Sequence, residues 1–222
     1  MCFSPEGDLI GGLVVTAVGI DACLHLRGRG EYRLLAAFPV MLGLHQIDEA
    51  LVWWRLQGHV PGGVGQVAMW IYLLFAFVAL PVLVPAMVML IEPTIARRRR
   101  MLPFLVLGAI VSTTLLVTMV LGHPSARLGS LHVAYSIGLK HGVFVIGLYI
   151  VATCGSLLAS GIHSVVWFGV VNVIAVVVLA RLCADGFASL WCFYAAIASG
   201  AIALHLRVKA SDNVAPTPMR AA

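Results

Sequence analysis

The sequence predicts an all-α membrane protein with seven transmembrane helices, on the evidence of its composition and of the spacing of its apolar residues. Hydrophobic residues make up 61% of the 222 residues and charged residues only 10%, with a mean hydropathy of +1.03. Because a soluble domain carries about 25% charged residues, this chain has too few charges to cover a surface in water. Its apolar residues instead form seven segments, each close to the ~20 residues that cross a ~30 Å hydrocarbon core.

These segments follow one another with short connections over most of the chain. We expect transmembrane helices at residues 9–26, 34–54, 64–91, 102–122, 139–160, 162–182 and 186–206. Together they form one transmembrane domain, residues 1–207, and the polar remainder, residues 208–222, is predicted to be a disordered tail. The third segment contains Pro81 and Pro85, which predict a kink in its helix; both prolines are tolerable where neighbouring helices satisfy the freed carbonyl groups.

The basic residues predict the orientation of the chain in the cell membrane. With seven spans, one side holds ten of the fourteen: Arg27, Arg29, Arg33, Arg97, Arg98, Arg99, Arg100, Arg207, Lys209 and Arg220. The other side holds Arg55, Arg127, Lys140 and Arg181. Because the side richer in Lys and Arg is cytoplasmic, the N-terminus is expected outside and the tail in the cytoplasm. Since the positive charges are placed as topology signals, the net charge of +5 does not indicate binding to nucleic acid.

The second segment contains the clearest cluster of polar residues. An acidic side chain at mid-span costs on the order of 3 kcal/mol by insertion scales, so acids that persist there usually face the interior of the bundle. On a helix, His45 shares a face with Asp48 and Glu49, and Trp53 continues that face by one turn. The alternative is structural: Asp48 turns toward Arg55, and Glu49 holds a neighbouring helix by hydrogen bonds.

Other segments bring polar and aromatic residues to the same depth. They are Trp70, Tyr72, Lys140, His141, Asp185, Ser189 and Trp191, and Trp54 of the second segment lies at that depth too. The opposite half of the membrane is poorer in such residues. There Asp21 and His25 lie one turn apart and are expected to pair, and Glu92 is expected to face water beside the arginine run.

One interpretation of the cluster is a metal site, because His45 and Glu49 have the i, i+4 spacing of two ligands on one helix. Further ligands would come from His141 or Asp185. Seven-helix intramembrane hydrolases of the alkaline ceramidase and adiponectin-receptor type are similar in size, but they carry an HxxxH pair on the last helix. The last segment here offers only His205, so we expect neither a metal nor another cofactor.

A second interpretation is acid catalysis in an apolar pocket. A carboxyl group in a low-dielectric environment stays protonated and can donate its proton to an alkene. The resulting carbocation is stabilised by aromatic faces, and the candidate pocket residues are Trp53, Trp54, Trp70, Tyr72, His141 and Trp191. A lipid-like isoprenoid is the substrate such a pocket would take.

A family resemblance agrees with this second interpretation. The segments Met1–Glu6, His45–Glu49 and Ser189–Ala196 (SLWCFYAA) resemble a family of small bacterial membrane proteins. Some of its members are similar to membrane-bound terpene cyclases that act on farnesylated indole alkaloids of the drimentine type. The chain is also similar in size and helix plan to fungal meroterpenoid cyclases, which use one acid on an early helix and another on the last helix.

The resemblance implies a membrane-bound terpene cyclase of secondary metabolism, with isomerase or lyase chemistry on a prenylated small molecule. Glu49 or Asp48 would donate the proton, His45 would tune or reprotonate it, and Asp185 would be a second acid or the final base. The implied partners are membrane lipids and a prenyltransferase of the same pathway. A third interpretation stays open, in which the protein is a small transporter or receptor and the acids are structural.

Overall fold

The structure is a computed structural model that describes residues 4–25, 33–129, 132–182, 189, 191, 194–196 and 198–200. The helices are α1 (Pro5–His25), α2 (Arg33–Leu56), α3 (Gly62–Leu73), α4 (Leu80–Ile91), α5 (Ile95–Leu121), α6 (Gly142–Leu158) and α7 (His163–Leu182). A π-helix, Leu74–Ala79, joins α3 to α4 without a break, and two short strands, β1 (Ser125–Leu128) and β2 (Val133–Ser136), separate α5 from α6. The chain is therefore mostly helical, as its sequence predicts.

Among the residues that the structure describes, four helical stretches are long and apolar enough to cross a membrane: Pro5–His25, Gly62–Ile91, Ile95–Leu121 and His163–Arg181. The helix Gly142–Leu158 is apolar but shorter. Their outward surfaces carry many exposed large hydrophobic side chains, as expected of surfaces that face lipid rather than water. The first six predicted segments coincide with helices to within a few residues, except that α5 begins seven residues early. Most of the seventh segment, 186–206, and the tail, 208–222, lie outside the described residues.

Helices α1 and α2 pack closely because glycines line their contact. A Cβ atom at Gly12 would lie 2.6 Å from the carbonyl oxygen of Gly43, and one at Gly43 would overlap the side chain of Thr16. One at Gly19 would lie 2.7 Å from Val40. Small residues that let two backbones approach are the usual basis of helix association in membranes. The glycine contact thus fixes the depth of α1 against α2.

The third segment is irregular at the π-helix Leu74–Ala79, which ends two residues before Pro81 and was not predicted from the sequence. Two side chains from other helices hydrogen-bond to carbonyl groups of that π-helix. The Tyr149 hydroxyl of α6 donates to the carbonyl oxygen of Ala76 at 2.7 Å, and the Ser112 hydroxyl of α5 donates to that of Val78 at 2.7 Å. Neighbouring helices therefore satisfy the backbone there, as the sequence predicted.

The arginine run and Glu92 lie differently from their predicted positions. Arg97–Arg100 belong to the first turns of α5 and not to a loop, because Thr94 caps the helix by accepting a hydrogen bond from the Arg97 backbone N–H at 3.3 Å. Glu92 was expected to face water but is fully buried. Its carboxylate accepts hydrogen bonds from the Ser160 hydroxyl at 2.6 Å and the Gly161 backbone N–H at 2.7 Å. These hydrogen bonds compensate the buried carboxylate for its lost hydration. They also join the end of α4 to the α6–α7 connection.

Strands β1 and β2 form an antiparallel hairpin that the sequence analysis did not predict. Ala126 pairs with Tyr135 and Leu128 with Val133. Val133 is fully buried and His132 and Ala134 nearly so, which shows that the second strand packs into the protein. The hairpin thereby brings Tyr135 to the polar cluster of α2.

Candidate functional site

Glu49 is the centre of a polar cluster to which five separate parts of the chain contribute. Its side chain is fully buried on α2. The carboxyl group interacts electrostatically with Asp8 of α1, and its hydrogen-bonding neighbours are the hydroxyl groups of Tyr72 (α3), Tyr135 (β2) and Ser189. None of these five side chains is a cation. The site is thus a buried carboxyl surrounded by another acid and three hydroxyl groups.

An aromatic stack runs beside this carboxyl. The ring of Tyr135 stacks on that of Tyr72, with centroids 4.4 Å apart and planes 13° from parallel. Tyr72 in turn stacks on His45 at 4.1 Å, and His45 contacts Phe75 at 4.7 Å. Phe75 belongs to the π-helix, so that irregular turn supplies the last ring of the stack. Tyr72 thus lies between His45 and Tyr135, and the hydroxyl groups of both tyrosines lie next to the Glu49 carboxyl.

Several buried polar atoms on α2 have no hydrogen-bond partner among the described residues. They include both ring nitrogens of His45, both amide atoms of Gln46 and the indole N–H of Trp53. Gln46, Glu49 and Trp53 follow one another at i, i+3 and i+7 and therefore lie on one face of the helix. Buried polar groups are normally satisfied, so these atoms indicate capacity to bind a further group beside Glu49.

A small apolar cavity of about 40 Å³ begins about one helical turn below His45. Its walls come from α2, α4, α6, α7 and the last segment, and they are Phe38, Leu42, Leu80, Val84, Met87, Tyr149, Thr153, Cys154, Leu157, Phe168, Asn172, Trp191 and Ala195. Roughly 150 Å³ is needed to hold a ligand of the size of benzene. As it stands, the cavity holds a few water-sized molecules, and a larger hydrocarbon would have to separate its walls.

The comparisons with known proteins give one match. A family model described as a family of unknown function, DUF6629, matches residues 1–219. The chain belongs to the DUF6629 family. No curated protein and no solved structure matches it.

The predicted site residues of this DUF6629 protein divide into two groups. His45, Glu49, Trp53 and Tyr72 are buried in or next to the cluster, and Asp48 beside them is half-buried. The others are not shown in the cluster. Trp54 and Trp70 are partly buried, Trp191 packs edge-on against Tyr149 at 5.3 Å in the cavity wall, His141 and Lys140 are exposed, and Asp185 lies outside the described residues.

Two members of the cluster were missed by the sequence analysis. Asp8 stands just before the first predicted segment, 9–26, whereas α1 begins at Pro5, and the pairing of α1 with α2 was needed to place it beside Glu49. Tyr135 stands in what was read as a loop, and the hairpin that carries it inward leaves only a short alternation of apolar residues as a signal. In the described part of this DUF6629 chain, no group of three or more His, Cys, Asp or Glu residues is arranged to hold a metal ion.

Proposed function

We propose that this protein is an integral membrane terpene cyclase, which starts cyclisation of a prenylated small molecule by protonating an alkene. The observation that carries the proposal is the environment of Glu49. Its carboxyl group is excluded from water, and the stacked rings of His45, Tyr72 and Tyr135 lie beside it. A carboxyl group enclosed in this way could act as a general acid on an alkene that enters the same space.

The reaction balances without an oxidant or a reductant. The π electrons of the substrate alkene form a C–H bond to the proton of the acid, and the O–H bond breaks. The other carbon of the alkene is left as a cation. Further alkenes of the isoprenoid attack this cation to close rings, and the final cation loses a proton from carbon to a carboxylate. Tyr135, at the end of the stack, would stabilise the cation through the ring face that Tyr72 does not cover. Glu49 is the proposed donor, since it is fully buried where Asp48 is only half-buried.

The proposal includes the arrangement of the chain in the membrane. Seven spans with the N-terminus outside and the tail in the cytoplasm would put Glu49 in the outer half of the bilayer, where an isoprenoid can enter from the lipid. The apolar cavity below His45 would take the hydrocarbon chain once α2, α4 and α6 separate. Asp185 and His45 keep their proposed roles as second acid and as the residue that returns the proton.

The test is Glu49→Gln in protein reconstituted into lipid and supplied with farnesylated indole substrates, with products separated by mass spectrometry. The amide keeps the shape of the side chain but has no acidic proton. We expect turnover to fall by about 10²–10⁴-fold or more, because general acid catalysis contributes that much. Asp48→Asn, the same change at the neighbouring position, should retain most of the activity.

Two results would contradict the proposal. Normal turnover by Glu49→Gln would remove Glu49 from the mechanism. A transition metal bound at one equivalent per chain, whose removal by a chelator abolishes activity, would instead favour the hydrolase interpretation. The cyclase is expected to be indifferent to chelators.

A further inference from the structure

We infer that Gln46 binds the polar group of a lipid-like substrate, and that this group is uncharged and both donates and accepts hydrogen bonds, as a hydroxyl group or an amide does. That the ligand is the substrate rests on the function proposed above. Gln46 lies in α2, and its side chain is fully buried. Within the part of the chain that the structure describes, neither its amide nitrogen nor its carbonyl oxygen has a hydrogen-bond partner.

The position of Gln46 on α2 places it between the apolar cavity and Glu49. Leu42, which lines the cavity, lies one turn before Gln46, and Glu49 lies three residues after it. Residues spaced in this way share one face of a helix. A ligand whose hydrocarbon chain enters the cavity at Leu42 therefore reaches Gln46 with a group one helical turn, about 5.4 Å, further along.

The amide group of Gln46 sets two requirements for a ligand. Its N–H groups need an acceptor, and its carbonyl oxygen needs a donor. A buried donor or acceptor that stays unpaired weakens binding, because its hydration has been lost without replacement. A hydroxyl group or an amide meets both requirements. An ether, an ammonium group or a hydrocarbon leaves at least one of them unmet.

The surroundings of Gln46 favour an uncharged group. Glu49 on the same face is acidic, it interacts with Asp8, and the hydroxyl groups around it carry no positive charge. A carboxylate or a phosphate would thus come next to acids without a cation to offset its charge. An ammonium group would be attracted by the acids, but it has no acceptor for the unpartnered indole N–H of Trp53, two turns after Gln46 on this face.

For the proposed reaction, this contact defines the class of substrate. A prenylated molecule with a hydroxyl or amide group fits, whereas an isoprenoid diphosphate or a plain hydrocarbon does not. Gln46 binds the substrate at a group other than the reacting alkene, so it stabilises the bound substrate and the transition state alike. Its loss should therefore raise KM and change kcat little.

The test is a competition assay in which the purified protein in lipid nanodiscs binds tritiated farnesol, with empty nanodiscs as background. The competitors share the farnesyl chain: farnesol donates and accepts, farnesyl methyl ether only accepts, protonated farnesylamine only donates, and farnesene does neither. Concentrations are expressed per mole of lipid, which cancels partitioning into the bilayer. Farnesol should compete at a concentration at least about tenfold lower than each of the others, because each leaves a buried group unpaired.

Gln46→Met should lose this preference, since it keeps the length of the side chain and removes both polar atoms of the amide. The matched control is Gln57→Met, the same change at an exposed position just after α2, which should keep the preference. With farnesylated indole substrates that carry an amide group, Gln46→Met should raise KM by about tenfold or more. Gln57→Met should leave KM unchanged.

The wild type alone can overturn the inference, so a stable Gln46 variant is not required. It is overturned if farnesol does not bind, or if the ether, the amine or farnesene competes as well as farnesol. An unchanged preference in Gln46→Met would also overturn it. If binding behaves as expected but no isoprenoid is converted, the proposed function fails and the binding site stands. If product forms and Gln46→Met alters neither the preference nor KM, the binding site fails and the function stands.

Discussion

Tyr135 contacts the centre of the site in two ways, through its ring and through its hydroxyl group. The ring stacks on Tyr72, and the hydroxyl group is a neighbour of the Glu49 carboxyl. When Glu49 gives up its proton, a hydroxyl that donates to the new carboxylate stabilises it more than it stabilises the neutral acid. The two contributions can be separated by substitution.

We predict that Tyr135→Phe lowers turnover by about tenfold or more with little loss of stability, since it removes the hydroxyl group and keeps the ring. A tenfold loss corresponds to about 1.4 kcal/mol of transition-state stabilisation. Tyr135→Ala removes the ring as well, and it should lower the free energy of unfolding by about 3 kcal/mol. Turnover and thermal unfolding of both variants are the measurements. Wild-type turnover in Tyr135→Phe would show that the hydroxyl has no part in the reaction.

At the level of single residues, helical spacing predicted His45 and Glu49, membrane depth predicted Tyr72 and Ser189, and Asp8 and Tyr135 were missed. His45 and Glu49 were found because helical spacing alone puts them on one face. Asp8 reaches Glu49 only through the glycine contact of α1 with α2, and Tyr135 only through a hairpin register. Such contacts depend on tertiary packing, which local spacing does not encode.

Helices α4 and α5 touch at a position that requires glycine. A Cβ atom at Gly108 would overlap the carbonyl oxygen of Pro81, the proline that follows the π-helix. Close approach there also lets the Ser112 hydroxyl, one turn further along α5, reach the carbonyl oxygen of Val78. The glycine and the serine thus support the irregular segment that carries Phe75 toward His45.

We predict that Gly108→Ala destabilises the protein by about 1–3 kcal/mol, because the added methyl group forces α4 and α5 apart. The matched control is Gly147→Ala on α6, where nothing lies within 4 Å of the added Cβ atom. There the higher helix propensity of alanine should make the change neutral or stabilising by up to about 1 kcal/mol. Unfolding of both variants in the same detergent decides between these outcomes. Equal stabilities would mean that the two helices do not need their close contact.

At the level of whole elements, hydropathy predicted the helices well and the connections poorly. A stretch of about 20 apolar residues signals a helix by length alone, which is why the first six predicted segments coincide with helices. The hairpin between α5 and α6 has only four residues in each strand, so its signal is short. Glu92 was misplaced because hydropathy does not show that Ser160 and Gly161 meet it from another part of the chain.

At the scale of the molecule, the cluster depends on the fold as a whole. Its members are separated in sequence by 20 to 60 residues or more, from Asp8 to Ser189, and come from α1, α2, α3, the hairpin and the last segment. A site assembled from so many elements is sensitive to how each one packs against the others. The orientation of the chain therefore decides from which side the site is reached.

We predict that residues 55–63 and the hairpin face the outside and that the start of α5 faces the cytoplasm. The reason is the distribution of basic residues, ten on one side and four on the other. In a background without native cysteines, His59→Cys should react with a membrane-impermeant maleimide in intact cells. Ala96→Cys, which is also exposed, should react only after the cells are opened.

A tag after residue 222 should likewise be reached only in opened cells, because an odd number of spans puts the two ends on opposite sides. Labelling of Ala96→Cys from outside would reverse the orientation, and a tag accessible in intact cells together with a protected Ala96→Cys would reduce the spans from seven to six.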